Sequence, residues 1–506
     1  MKKIFTLLMA SLGTIMASAA DFTEEIIVSV NGESSQQSCS FTITDNGDTY
    51  DLTMKNFLLE SEDGPMGVGT VEVKGIKPQY SGKTVILQTT QTIQIVPGDD
   101  PSVAFWMATI LPPVPVELKA AINGDHLRSY IYIDLMASLQ QIVEVSIGGG
   151  YQLKNTSFEA WHATQGSYEE PNGWHSFESA SGSLAAMAGH HITKSDDAHG
   201  GVASARLYAT SIFGIVANGT MTTGRMNAGS MSATDPNNNA YMDMSLSDRD
   251  GNGDPFYTPL IARPDSVVFW AKFRQGKANA QHPYATMSAV ITDGTYYQDP
   301  ADKEYSNVVG QAKNNTIATT GDEWKRIVAP FSYNDNGVEP KAILLTLSTN
   351  ADAGQGSAND ELLVDDIELV YNARLASLSV KGRQVPNFDP NTQEYSLKVE
   401  ELIGADDLEA KADGVAAYVT KQVEVVDGKY LCTVEVFSAD MSKATQYVLN
   451  IESTALTETL AVSNVEARQQ QPAAYYTLDG RQARSLKPGN IYVRRLADGT
   501  TQKITK

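Results

Sequence analysis

Apolar and polar residues alternate in short runs over the first quarter of the chain: Ile26–Val30, Ser40–Thr44, Thr49–Thr53, Val68–Val73, Thr92–Val96 and Ser129–Asp134. A period of two sends successive side chains to opposite faces and predicts half-buried β-strands. Turn-forming pairs at Asn31-Gly32, at Asp45 to Asp48, at Asp63 to Pro65 and at Asn123-Gly124 fall between the runs at hairpin spacing. The pattern predicts a meander of about eight strands, enough to close into a barrel and so remove both sheet edges.

From about residue 151 the loops lengthen, Gly and Asn become frequent, and four of the five tryptophans occur. Strands are predicted at Ser266–Phe273, Thr286–Thr292, Trp324–Phe331, Ala342–Ser348 and Val364–Tyr371. Asn155–Trp161 opens this stretch and Leu362–Val370 closes it, and both read as strands carrying inward acids. Long loops between short strands suit a sandwich with function in its loops. After Ala373 a smaller alternating unit runs to Ser453. A polar stretch from Thr454 to Gln471 lacks the apolar content for a core. The tail from Ala474 holds two or three short strands.

Residues 1–20 run from Lys2-Lys3 through an apolar stretch to Ala17-Ser18-Ala19-Ala20, the order of regions in a secretory signal peptide. No later segment has the roughly 18 apolar residues of a membrane-spanning helix. The expected location is secreted or cell-surface, with the periplasm as the alternative. The chain has 506 residues, enough for several domains, and a formal charge of −22 spread along its length. That field repels nucleic acid and anionic membrane. Cys39 and Cys432, the only cysteines, fall in different predicted domains and read as small strand residues without a bridge.

Three stretches resemble known families. Residues 21–150, through Lys55 to Phe57, Gly67 to Gly69 and Asp134 to Met136, resemble the calycin-like domains of exported proteins from Bacteroidetes-type bacteria, which implies a lipocalin-like barrel. Residues 151–372 resemble a carbohydrate metabolism domain and, more distantly, jelly-roll carbohydrate-binding modules. The matching residues are Asn155–Trp161, Glu170–Trp174, Gly219–Gly224, Phe269–Phe273, Glu323–Arg326 and Asp365-Asp366. Residues 373–453 resemble a cadherin-like or immunoglobulin-like spacer. The linker then spans 454–473, and 474–506 resemble C-terminal sorting extensions. The expected fold class is all-β: a calycin-like barrel, a jelly-roll sandwich, a small Ig-like sandwich and a short β element.

The candidate chemistry lies in the middle stretch. Glu159 and Asp366 sit at its two ends as hard-oxygen ligands for a structural calcium ion; Asp366 is chosen because adjacent strand residues face oppositely, leaving only one of Asp365 and Asp366 to meet Glu159. The loop of Asp248, Asp250, Asn252 and Asp254 reproduces the first positions of a calcium loop, but Pro259 stands where the bidentate Glu belongs. Five of the seven histidines lie between His162 and His199 without an established zinc spacing, and read as solvated loop residues. Trp161, Tyr168, Trp174 and His175 occur in loop-like sequence among amides and acids and are the candidate carbohydrate contacts. Trp270 and Trp324, in alternating strands, read as core. No nucleophile elbow, metalloprotease helix or phosphate loop is present. The expected function is therefore non-catalytic binding of a glycan or glycoconjugate. The alternatives are a surface protein that binds another protein, and a glycoside-active enzyme.

Overall fold

The computed structural model describes residues 18–31, 33–60, 64–148, 152–164, 168–212, 214–245, 247–460, 472–496 and 499–505. Most of the signal-peptide segment and residues 461–471 of the linker lie outside them. The chain is all-β and divides into two compact units, the first reaching Ala373 and including Asp413–Tyr418 and Phe437–Ala444, the second comprising the remainder. Among the described residues, no helix is long and apolar enough to cross a membrane. Cys39 and Cys432 are free thiols, and burial raises both to a pKa of about 11.

Residues 18–147 form a nine-stranded antiparallel sheet in which Ser18–Val30 pairs with both Glu33–Asp45 and Gln141–Ile147. Strands Thr84–Ile93, Val114–Asn123 and Gln141–Ile147 add to those read from the alternation. The two edges approach where Thr70 exchanges backbone hydrogen bonds with Val96, at 2.8 and 3.2 Å. Gly69, with φ +135°, permits this, because a side chain there would strike the Val96 carbonyl and Ala108. Phe22, Ile26, Phe41, Leu52, Leu87 and Leu118 belong to one continuous buried cluster on the inward face.

Residues 152–371 form a two-layered sandwich. Val267, Phe269, Ala271 and Phe273 of one layer meet Met287, Ala289, Ile291, Ile343, Leu345 and Leu347 of the other. Burying each phenylalanine stabilises the fold by about 1.5–3 kcal/mol. Strand Lys325–Tyr333 joins the layers, since its first part pairs with Ser266–Arg274 and its end pairs with Val308–Ile317.

The opening segment departs from expectation. Asn155 to Ala160 is a turn, because the Asn155 side chain bonds both the Ala160 N–H and carbonyl and the Asn172 carbonyl. Asn155 and Phe158 have φ of 47° and 53°, incompatible with a strand. At the closing end, core positions shift from the even residues Leu362 and Val364 to the odd residues Ile367 and Leu369. Such a frame change requires one extra residue, and Asp366 supplies it at φ 47°, where the pairing with Ser266–Arg274 also shifts.

The smaller sheets follow. Leu375–Val380 lies between Arg383–Gln384 and Leu408–Ala412, and Glu394–Val399 runs parallel to Ala444–Ser453 in a four-stranded sheet. Residues 454–460 are helical where a polar linker was expected: the Ser453 hydroxyl accepts from the Leu456 N–H and caps the turn. Pro472–Thr477, Ile491–Leu496 and Thr501–Thr505 make a three-stranded sheet.

Candidate functional site

Three places in the sandwich gather polar side chains. The first is an acidic clasp around residues 199–203. Glu159 Oε1 accepts from the Val202 and Ala203 N–H groups at 2.9 and 3.2 Å. Asp365 Oδ2 accepts from the His199 and Gly200 N–H groups, and its Oδ1 accepts from the Asp366 N–H. Asp366 Oδ2 lies 2.6 Å from His199 Nδ1. Both aspartates therefore serve one loop, against the expectation that they face oppositely, because the bulge at Asp366 breaks the alternation. The loop is glycine at Gly201, where φ is +61° and a side chain would collide with Glu159. Asp365 is fully buried, and burial, with the neighbouring Asp366 adding to it, raises its pKa to about 6 despite the N–H donors.

The aromatic candidates divide. Trp174 is fully buried; its indole donates to the Lys154 carbonyl at 2.9 Å and its ring packs on Phe158. His175 is equally buried. Neither offers the open face that sugar stacking needs, because the turn after Pro171 carries them inward, where His175 exchanges backbone hydrogen bonds with Thr222 at 2.8 Å. Trp161 is half-buried against the core and donates to the Phe158 carbonyl at 2.6 Å. Tyr168 remains exposed and stacks on His190. Trp270 and Trp324, expected in the core, are half-buried instead. Trp270 is cross-strand from Asp365 on the outer face and is covered by the His199 ring at 3.8 Å, and Lys272 lies over Trp324.

The second place is the Asp248–Asp254 loop, whose acids do not act together. Asp248 is paired with Arg225. Asp254 Oδ2 accepts from the Gly173 N–H and from the Asn252 side chain, each at 2.9 Å. Asp250 turns inward: Oδ1 accepts from the Asn252 and Asp254 N–H groups, and Oδ2 points toward His162 Nε2 at 3.5 Å and His175 Nδ1 at 3.6 Å. Glu170 joins them from the hairpin of Trp161–Ala163 with Glu169–Pro171, in which His162 and Glu170 are direct cross-strand partners. Burial pushes the Glu170 carboxyl up and the His175 imidazole down from their ordinary pKa values. Among the described residues, His162, Glu170 and Asp250 bring one ligand atom each within 4.8 Å of one another. From the sequence, His162 reads as a solvated loop histidine, Glu170 as one of the scattered acids of the glycosidase alternative, His175 as a carbohydrate contact and Asp250 as part of a calcium loop. The available signal was the crowding of histidines with acids between His162 and His199.

The third place is a cleft of about 490 Å³ on the outer face of the second layer. Alternation in Ala285–Thr292 and Ala342–Ser348 sends every other residue away from the core. Where Val290 and Leu344 point outward they are covered by Met242 and Tyr297. Farther along the same face the outward residues are Thr286, Ser288, Thr346 and Ser348, joined by Lys313 and Asn315, and these floor the cleft. Their hydroxyls are partly paired, as in Thr286 to Asn315 at 2.7 Å and Thr346 with Thr222 at 3.2 Å. The wall is apolar, with Phe177, Leu184, Met187, Ile215 and Met231. Met187 and Met231 are 48% and 44% exposed. None of the four carbohydrate candidates lines this cleft.

No curated protein matches the chain. Among solved structures, it is similar to one from Bacteroides thetaiotaomicron VPI-5482 described as a "putative glycoside hydrolase", with 14% identity and a TM-score of 0.33 over 51% of this chain and 86% of that one. Residues 19–149, the nine-stranded sheet, match the family model of the calycin-like beta-barrel domain.

Proposed function

We propose that this chain is an exported, non-catalytic glycan-binding protein and that the cleft of the sandwich is its ligand site. The observation that carries this reading is the pairing of a floor of hydroxyl, amide and ammonium groups with a wall of exposed methionines. Sugars present the complementary surface, with hydroxyls on their edges and C–H groups on their faces, and the volume lies in the usual range for small-ligand sites. The lining carboxylates are Asp235 and Asp299, and the Asn237 N–H, with Ser230, holds the Asp235 carboxyl below its usual range, unsuited to a general acid.

The test is glycan-array screening followed by calorimetry on the full chain. Lys313→Ala with Asn315→Ala is expected to weaken binding at least tenfold, and Thr346→Trp to block it by filling the floor. Tyr168→Ala, outside the cleft, should leave it unchanged. Failure to bind any glycan, or binding indifferent to both floor changes, would sink the reading. Turnover of a glycoside would favour the enzyme alternative.

A further inference from the structure

We propose that His162, Glu170, His175 and Asp250 form a closed, four-ligand site for one divalent transition-metal ion of the zinc type. Each side chain has two polar atoms. In each, one is held by protein and the other is buried without a partner.

His162 Nδ1 lies 3.1 Å from Asn172 Oδ1, and His175 Nε2 lies 3.2 Å from the Pro255 carbonyl. Both partners are acceptors, so these nitrogens carry the protons and donate. That leaves lone pairs on His162 Nε2 and His175 Nδ1. Glu170 Oε1 accepts from the Ser176 N–H and hydroxyl, both at 2.6 Å, and from the Ser179 hydroxyl at 3.1 Å. Asp250 Oδ1 is taken by two N–H groups of its own loop. The atoms left over, His162 Nε2, Glu170 Oε2, His175 Nδ1 and Asp250 Oδ2, are all buried and without a hydrogen bond. Glu170 and His175 are wholly enclosed, as is the side chain of Asp250, and the His162 side chain is 9% exposed.

Four lone-pair donors converging in the interior repel one another unless a cation or a proton lies between them. Protonated histidines would be an alternative source of charge. Charge-assisted hydrogen bonds to carboxylate, however, close to about 2.7–2.9 Å, whereas both histidine nitrogens stand 3.5–3.6 Å from Asp250 Oδ2. Those two spacings are close to the edges of a tetrahedral metal site that share Asp250 Oδ2. Bonds of about 2.0–2.1 Å give ligand–ligand edges of about 3.3–3.4 Å. The His162, Glu170 and Asp250 atoms, within 4.8 Å of one another, close onto the ion by small shifts, and His175, 3.6 Å from Asp250 Oδ2 but outside that group of three, swings in as the fourth ligand. Two imidazoles and two carboxylates favour zinc over calcium, which takes six to eight oxygens. The hydrogen bonds on the far atoms are the supporting shell such ligands carry.

With four protein ligands and no exposed position, the site is structural. It ties the hairpin at Trp161–Pro171 to the Asp248–Asp254 loop. Through Ser176 and Ser179 it also anchors the turn Phe177–Ser179, whose Phe177 stands in the cleft wall. This holds whatever the cleft binds.

The test uses the full chain, stripped with a chelator and dialysed. Zinc titrated against a chromophoric competitor should bind one equivalent, and cobalt(II) should give the intense visible bands of four-coordinate geometry. His162→Gln, at the edge of the site, and Asp250→Asn, which keeps the loop's acceptor, should each weaken zinc binding by at least about 100-fold. Circular dichroism checks that both variants fold. Absence of stoichiometric zinc binding by the wild-type chain, a six-coordinate cobalt spectrum, preference for calcium, or zinc binding unchanged in both variants would each overturn the proposal.

Discussion

Asp365 and Asp250 are both carboxylates buried beneath loops of the same sandwich, but they answer the cost of burial in different ways. Asp365 uses both oxygens on backbone N–H groups of residues 199, 200 and 366. Asp250 satisfies only Oδ1 and directs Oδ2 at two imidazole nitrogens. The first arrangement is complete within the protein. The second requires something further, and three neighbouring side chains share that requirement. The difference teaches that counting acids near a loop does not locate a cation site; counting their unmet lone pairs does.

The largest expected effect breaks the satisfied side of this comparison. Asp365→Ala removes the acceptor from three N–H groups beneath a closed loop and should lower stability by roughly 3 kcal/mol or more in denaturant unfolding. On the other side, zinc at a hundredfold excess over its dissociation constant should stabilise the stripped chain by about 2.7 kcal/mol. Asp250→Asn should abolish that gain while leaving metal-free stability within about 1 kcal/mol of wild type, because it removes a buried uncompensated charge. A metal-free loss as large as that of Asp365→Ala would erase the distinction.

A smaller effect is a pH dependence. Asp365 has a pKa of about 6 in the folded chain, above the ordinary carboxylate value. Between pH ~4 and ~6 the folded state therefore holds a proton that the unfolded state has released, and stability falls as pH rises through this window. Below it Asp365 contributes no penalty, and above it the penalty is constant. Asp365→Asn should lack the step, so the difference between wild-type and variant melting temperatures should shrink or reverse as the pH rises from 4 to 6 and then level off. The smallest effect concerns Glu159. Glu159→Gln keeps an oxygen for the Val202 and Ala203 N–H groups and should change stability by less than about 0.5 kcal/mol. A loss of calcium-dependent stabilisation in this variant would instead assign Glu159 to a cation.

Much of the strand framework was legible because alternation reports burial directly. Ala342–Ser348 coincides with its strand, whereas the closing run reads as one regular strand with Asp365 and Asp366 on opposite faces, and only the folded chain shows the bulge at Asp366 that overturns this. The opening turn was not legible, since Asn155 bends the chain through side-chain bonds to residues 5 and 17 positions away. Trp174 and His175 read as loop residues because the local sequence is polar, and only the fold of the chain after Pro171 shows them turned inward. The four-ligand cluster escaped for a related reason. His162 and Glu170 meet through a cross-strand pairing, and Asp250 arrives from a loop 75 positions beyond His175, a proximity that no local spacing encodes. The cleft floor was written in the alternation as the outward hydroxyls of two strands, but that they stay uncovered depends on where distant loops pass.

Strand Lys325–Tyr333 hydrogen-bonds to one layer over its first part and to the other at its end. The sandwich consequently has no seam along which one layer can open while the other persists. Pulling either layer away drags a shared strand out of both, so the amides of Phe269 and Ile343, in opposite layers, should exchange with solvent through one common opening event.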